Sequence, residues 1–234
     1  MFDLQKFYGR CSSRLNRFKY PVYVFHHIPK CGGTSVINVL ENWFHIYNDY
    51  YQKDDEHLIE PVAIKYLHSK ACLCGHFGHN GYMIDQRYPS VFNSFRARHR
   101  YRVFSFLREP LKMRCSLYRH QIQNDINVTA TLPESIMEFS NYYSRIIGVN
   151  EENYKNKLDQ YFFIGIQEEL QLSFDALAKL LKKPKLELPV INTTEKYVTN
   201  SVESLNDQQI QEFKKENLLD YQIYNYVQEK WKIR

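Results

Sequence analysis

The run from Pro21 to Trp43 constrains this chain more than any other part of it. Pro21-Val-Tyr-Val-Phe-His26 is short, apolar and rich in β-branched and aromatic residues, the pattern of a buried strand. A proline and two glycines follow. Then Thr34-Ser-Val-Ile-Asn-Val-Leu-Glu-Asn-Trp43 repeats Val36, Val39, Leu40 and Trp43 at helical spacing. The same order returns further on. Tyr101–Leu107 reads as a strand, Pro110 as a first helical residue, and Leu111–Gln123 as a helix. Tyr161–Ile166 reads as a strand and Glu168–Leu181 as its helix, closed by Pro184. Ala71–Cys74 adds a short strand ending at Gly75. Strands alternating with helices predict βαβ units, hence an α/β fold with a mainly parallel central sheet flanked by helices.

The remaining stretches are weaker. Residues 44–68 read as helix and loop around the acidic Asp54-Asp55-Glu56, and Asn127–Leu132 as a loop. Pro133-Glu134 opens a helix expected to run through Tyr143, Leu186–Ile191 reads as extended, and Ser204–Lys232 as helical with a break near Asn217. Repeats, low-complexity tracts and Pro/Gly/Ser linkers are all absent, so residues 1–234 are expected to form one domain. A chain of 234 residues with 44% hydrophobic content can build a core without disulfide or metal staples.

The net charge of +5 favours anionic partners without naming one. Five cysteines, two of them as Cys72-Leu-Cys74, make a poor disulfide framework and suit a reducing compartment. Met1–Arg17 lacks the apolar core of a signal peptide, and no run approaches the ~20 apolar residues of a membrane span. The expected location is the cytoplasm, with no membrane span.

Two segments carry chemistry, and both fall where a parallel sheet binds ligands, at the carboxyl ends of strands. In His26-His-Ile-Pro-Lys-Cys-Gly-Gly-Thr-Ser35, Gly32 and Gly33 let the backbone approach a ligand closely. The turn directs N–H groups and a helix N-terminus at one point, which suits an anion. Lys30 adds a mobile charge, and Thr34 and Ser35 add hydroxyl donors. An ordinary glycine turn with Ser/Thr capping would leave the same residues. A Walker A loop would not, because it places its lysine after the glycines. In Phe104-Ser-Phe-Leu-Arg-Glu-Pro-Leu-Lys-Met-Arg-Cys-Ser-Leu-Tyr118, Arg108 leaves a strand end with a planar donor fork suited to phosphate, and Ser116 follows in the helix. A surface Arg-Glu pair and a helix serine would read the same way.

Taken together, Pro-Lys-x-Gly-Gly-Thr-Ser resembles the 5′-phosphosulfate loop, and Arg-Glu-Pro-x5-Ser-x-Tyr the 3′-phosphate motif, of the sulfotransferases that use 3′-phosphoadenosine 5′-phosphosulfate (PAPS). The likeness is closest to the carbohydrate O-sulfotransferases of the heparan and uronyl 2-O type and their bacterial relatives. Cys31 stands where Thr or Ser is usual. The resemblance implies a three-layer P-loop-like fold and PAPS as co-substrate, with adenosine 3′,5′-bisphosphate as product and no metal. It also implies donor contacts from Lys30, Cys31, Gly32, Gly33, Thr34, Ser35, Arg108 and Ser116. The partner it implies is a hydroxyl acceptor, a glycan or glycoside, and not nucleic acid. Asn141-x3-Arg145-x2-Gly148, Phe163-Ile-Gly-Ile-Gln-Glu168 and Asn217-Leu-Leu-Asp-Tyr-Gln-Ile-Tyr224 resemble later family blocks.

Sulfuryl transfer needs the leaving phosphate stabilised, a task for Lys30, and the acceptor hydroxyl deprotonated. Gly75-His76 resembles the catalytic Gly-His element of the uronyl 2-O-sulfotransferases, so His76 is the expected base, with His79 as runner-up. A histidine near its reference pKa of ~6.5 can take a proton at neutral pH. Cys72-x-Cys74-x-His76-x2-His79 also invites a zinc reading, but four ligands so close along a strand converge poorly. His26 and His27 are expected to pack; Tyr47–Tyr51 and Tyr142-Tyr143 offer rings that stack on sugars, with core packing the default, and the basic run Arg96–Arg100 with Arg102 reads either as a solvated face or as an attractor of an acidic glycan. A P-loop kinase or NTPase and a non-catalytic anion-binding relative are the competing classes. The first is disfavoured by the position of Lys30. The second gives no reason for Lys30, Arg108 and Ser116 to occur together.

Overall fold

The computed structural model describes residues 21–50, 60–68, 70–79, 81–124, 128–189 and 201–231. The N-terminal seventeen residues, Tyr51, the Asp54–Glu56 patch, Asn127, the end of the expected 186–191 extension and Lys232 lie outside them. Among the described residues, five strands form one sheet: β1 (Val22–His26), β2 (His45–Asn48), β3 (Ala71–Gly75), β4 (Tyr101–Leu107) and β5 (Phe163–Ile166). Their order is β2-β3-β1-β4-β5. Every pairing is parallel, where the sequence predicts only a mainly parallel sheet. The helices in chain order are α1 (Gly33–Leu40), α2 (Ile84–Arg87), α3 (Phe95–Arg100), α4 (Pro110–Gln123) and α5 (Leu132–Met137). They continue as α6 (Tyr142–Ile147), α7 (Tyr154–Leu158), α8 (Leu170–Leu181), α9 (Asp207–Glu216) and α10 (Leu218–Lys230). The result is a three-layer α/β, P-loop-like fold.

β1 and β3 are buried at every residue, as strands covered on both faces must be. Phe25, Phe104, Phe106, Phe163 and Phe174 are at most 1–2% exposed and form the centre of the core. β1 lies between β3 and β4, so the chain changes direction across the sheet there, where open parallel sheets form their ligand crevice. His26 pairs with Gly75 on one side and Ser105 on the other. The segments that follow these three residues therefore leave the sheet on one edge.

Three local expectations are corrected. Residues 45–48 form a strand rather than helix or loop; His45 and Asn48 are exposed, so β2 lacks the apolar signature and owes its form to parallel pairing with β3. α1 stops at Leu40, short of Trp43. The helix expected from Pro133 through Tyr143 is two helices, because Asn141 turns left-handed (φ 51°) between them. Its N–H donates to Asn217 Oδ1 at 2.8 Å, a long-range contact that outweighs local propensity. α8 ends at Leu181 as expected, where Lys182 turns left-handed (φ 57°) two residues before Pro184. The break expected near Asn217 is present, between α9 and α10. Leu111, Cys115, Tyr118, Leu132, Ile136 and Phe213 form a second apolar cluster that joins α4, α5 and α9.

Candidate active site

β1 ends at His26, and the chain turns through Lys30, left-handed at φ 64°, and Gly32 at φ 82° before α1 begins. A left-handed backbone is costly for a lysine, and such outliers persist only where the surroundings over-determine them. No side chain caps α1, so the first-turn N–H groups of Gly33, Thr34 and Ser35 have no intrahelical acceptor. The Ser/Thr capping that would have made this an ordinary turn is not formed. Thr34 is exposed and Ser35 is buried. Cys31 is 1% exposed, with Sγ 3.6 Å from the Tyr143 hydroxyl. Burial pushes this thiol up to about 12, so it stays protonated.

Arg108 reaches this loop from the end of β4. Its Nη1 donates to the Lys30 carbonyl oxygen at 3.4 Å. Tyr143, fully buried, holds the backbone of Arg108 from both sides: its hydroxyl donates to the Arg108 carbonyl at 2.6 Å and accepts the Arg108 N–H at 3.2 Å. The next residue is clamped as well. The Glu109 N–H donates to Glu168 at 2.9 Å, and the Glu109 carboxylate caps α4 through Lys112 N–H and accepts the Tyr221 hydroxyl. Glu168 also accepts from Tyr224.

The groups around Lys30 are cationic. Burial lowers its ammonium pKa, and the Arg108 and Arg119 guanidiniums lower it further. Arg119 sits three residues after Ser116 in α4, on the same helix face. Nε of both Arg108 and Arg119 is buried with no hydrogen-bond acceptor among the described residues. Unpaired buried donors beside a repelling trio of charges describe a cradle that an anion would satisfy.

His76 follows β3, and the parallel register brings it beside His27. His76 Nε2 lies 3.1 Å from His27 Nδ1, and the Tyr50 hydroxyl lies 3.0 Å from the same His27 nitrogen. His27 in turn lies against the glycine loop: a Cβ on Gly33 would fall 2.0 Å from its Cδ2 and Nε2. His79 stands edge-on to His76, with ring centroids 5.7 Å apart, and pairs with the Tyr142 hydroxyl at 2.8 Å. His76 is not near its reference pKa: burial first, then His27 and His79, bring it down to about 3. His27 falls to about 4 by burial and the neighbouring His26 and Lys30. Cys72 and Cys74 lie together in the core with sulfurs 3.9 Å apart. Among the described residues no group of three His, Cys, Asp or Glu is placed to hold a metal ion.

The carboxyl edge of the sheet therefore gathers Lys30, the glycine turn, Arg108 and His76. Ser116 is buried in α4 one helical step from Arg119. The sequence missed Arg119, which helical spacing from Ser116 could have found, and Tyr50 and Tyr143, which only long-range contacts reveal. His27 packs as expected, stacked on Phe25 at 5.4 Å, and also touches His76.

The same arrangement of strands and helices occurs in a solved sulfotransferase from Alicyclobacillus acidocaldarius. The TM-score is 0.52 over 89% of this chain and 94% of that one, at 13% identity. This is the sulfotransferase fold. A mouse sulfotransferase, SULT7A1, solved in complex with PAP, aligns over 93% of each chain with a TM-score of 0.49 and 10% identity. No protein-family model matches the sequence, and no curated protein matches it. Within the sulfotransferase fold, the cradle described above lies at the edge of the sheet where β1, β3 and β4 end.

Proposed function

We propose that this chain is a PAPS-dependent O-sulfotransferase, one domain over residues 1–234, acting on a hydroxyl of a glycan or glycoside. The observation that carries the reading is the approach of Arg108 Nη1 to the Lys30 carbonyl at 3.4 Å. It joins two phosphate-binding motifs that lie 78 residues apart in sequence.

Each residue then has a role. The N–H groups of Cys31 through Ser35, with the Thr34 and Ser35 hydroxyls, hold the 5′-phosphosulfate at the helix N-terminus. Cys31 contributes backbone only, since its thiol is turned into the core toward Tyr143. Arg108 and Ser116 take the 3′-phosphate, and Arg119 adds charge to the same cradle. The acceptor oxygen attacks sulfur in line. A new sulfur–oxygen bond forms as the bond from sulfur to the bridging phosphate oxygen breaks. Lys30 stabilises the charge that grows on the leaving 5′-phosphate; His76, held neutral by burial and a weak base in the ligand-free protein, takes the hydroxyl proton once the negative charge of the bound donor raises its proton affinity. The products are the sulfate ester and adenosine 3′,5′-bisphosphate. Cys31, Cys72, Cys74 and Cys115 are all buried free thiols, which supports the cytoplasm as its location.

The experiment is transfer of label from radiolabelled PAPS into pooled glycosides. Wild type is expected to label a hydroxyl-bearing product, and Lys30→Ala to lower the rate by about a hundredfold or more. Binding of adenosine 3′,5′-bisphosphate without transfer to any pool would leave a non-catalytic relative instead.

A further inference from the structure

Three rings meet at one nitrogen beside the glycine loop. His27 Nδ1 lies 3.0 Å from the Tyr50 hydroxyl and 3.1 Å from His76 Nε2. The other end of the His27 ring, which carries Nε2, is packed against Gly33. Among the described residues only Nε2 of His76 is hydrogen-bonded, and its half-buried ring leaves Nδ1 open. Tyr50 is held from behind by its neighbour. The Asp49 N–H donates to the Cys74 carbonyl at 2.7 Å. The Asp49 carboxylate, buried, accepts two N–H groups of Arg87 at 2.7 and 2.6 Å and the Tyr88 hydroxyl at 2.6 Å. Such a bidentate pair fixes geometry as well as charge. A Cβ on Gly75 would fall 2.4 Å from the Asp49 carbonyl oxygen, so the glycine before His76 lets this segment close over the histidines.

These contacts restrict where the ring protons sit. Burial keeps both imidazoles neutral at pH 7, and a neutral imidazole has one N–H and one bare nitrogen. His76 can take a proton from a hydroxyl only through a bare nitrogen that the hydroxyl can reach. Nε2 is turned to His27, which leaves Nδ1. With Nδ1 bare, the ring proton is on Nε2, and His27 Nδ1 is its acceptor. His27 then carries its own proton on Nε2, against the glycine loop. The reverse pair of tautomers would leave His76 with no bare nitrogen in the open. It would also set a His27 lone pair against the loop that holds the donor's negative charge.

Resting on the sulfotransferase reading above, we propose that His27 is a positioning residue: it holds His76 as the Nε2–H tautomer and so makes Nδ1 the nitrogen that takes the acceptor's proton. In that step the acceptor O–H bond breaks and an Nδ1–H bond forms, while an electron pair of the oxygen goes to sulfur. The resulting imidazolium keeps its Nε2–H on the His27 lone pair, which stabilises the new charge. Tyr50 keeps the His27 ring from turning, through the same nitrogen.

Proton–nitrogen correlation NMR of the histidine rings, on the nitrogen-labelled, ligand-free protein at neutral pH, reads each tautomer directly. Wild type is expected to show His27 and His76 both protonated at Nε2 and bare at Nδ1. His27→Asn keeps an acceptor near the place of Nδ1 and should preserve the His76 tautomer. His27→Phe keeps the stack on Phe25 without the acceptor. It should lose that tautomer, and kcat for transfer from radiolabelled PAPS should fall by about 10- to 100-fold, with most of the rate recovered in His27→Asn. A wild-type His76 protonated at Nδ1 overturns the proposal, and this spectrum decides even where His27→Phe fails to fold. An unchanged His76 tautomer or a wild-type kcat in His27→Phe overturns it as well. The spectra need no PAPS, so the expected tautomers in a protein that transfers nothing would uphold the His27–His76 pairing and count against the sulfotransferase reading alone.

Discussion

His76 Nε2 lies 3.1 Å from His27 Nδ1, and the His27 ring rests against the glycine that opens α1. The proposed base is thus one hydrogen bond away from the loop proposed to hold the donor. Within the pair one nitrogen donates and the other accepts, which requires at least one neutral ring. Burial drives both down, His76 to about 3 and His27 to about 4. The expected outcome is that neither ring titrates between pH 8 and about 5 in NMR spectra of the ligand-free protein. A His76 midpoint near 6.5 would contradict it.

His76→Ala should lower transfer by about 10² to 10⁴ while bisphosphate affinity stays near wild type, as for the loss of a general base. Turnover like that of wild type would remove His76 from the mechanism.

Acid should unfold this protein early. Burial depresses His26 and His27 to about 4 and His76 to about 3, whereas an unfolded chain titrates near ~6.5. Between those values the unfolded chain holds more protons, so stability falls as pH drops through that window. Asp220 opposes this: burial raises it to about 6, so the folded state holds an extra proton above the ordinary carboxylate range. Three imidazoles outweigh one carboxylate, at up to about 1.4 kcal/mol per pH unit for each uncompensated group. Calorimetry at pH 7 and pH 4.5 should show Tm falling by roughly 10 °C. An unchanged Tm would contradict the burial of these rings.

Gly33 is needed for space rather than for an unusual φ. A methyl there would sit 2.0 Å from His27 Nε2, so Gly33→Ala must displace the His27 ring or the loop. Urea unfolding should show a loss of about 1–3 kcal/mol, with weaker bisphosphate binding. A neutral effect on both would mean that His27 is free to move.

Tyr143→Phe removes the hydroxyl that satisfies both backbone groups of Arg108. The expected cost is about 1–3 kcal/mol of stability. With Arg108 loosened, bisphosphate affinity measured by calorimetry should fall by about tenfold. Wild-type affinity would show that Arg108 is oriented without Tyr143.

The chemistry legible in the sequence is the part that lies in contiguous stretches. Lys30 with its glycines and Arg108 with its proline each sit at a strand end, so once the strands are read their common edge follows. What holds them in place was not legible, because it crosses long distances. The Asp220 carboxylate accepts the N–H groups of Tyr143 and Ser144 at 2.8 and 3.0 Å, capping α6 in place of a local side chain. Asn141 and Asn217 divide a helix that local propensity would continue. The later blocks around Glu168 and Tyr224 show their purpose only here, as ties that fix Glu109 beside Arg108. β2 escaped notice because an edge strand with polar ends leaves no apolar alternation to read. The contact between His27 and His76 depends on the β1–β3 register, in which His26 pairs with Gly75, and no single segment encodes that.

The central claim is that Arg108 and Ser116 recognise a 3′-phosphate while the Lys30 loop holds the 5′ group. Calorimetry comparing adenosine 3′,5′-bisphosphate with AMP, in wild type and in Arg108→Ala, tests it most directly. The account predicts that wild type binds the bisphosphate at least about a hundredfold tighter than AMP, and that Arg108→Ala removes most of that difference. Equal affinity of wild type for the two nucleotides would contradict it.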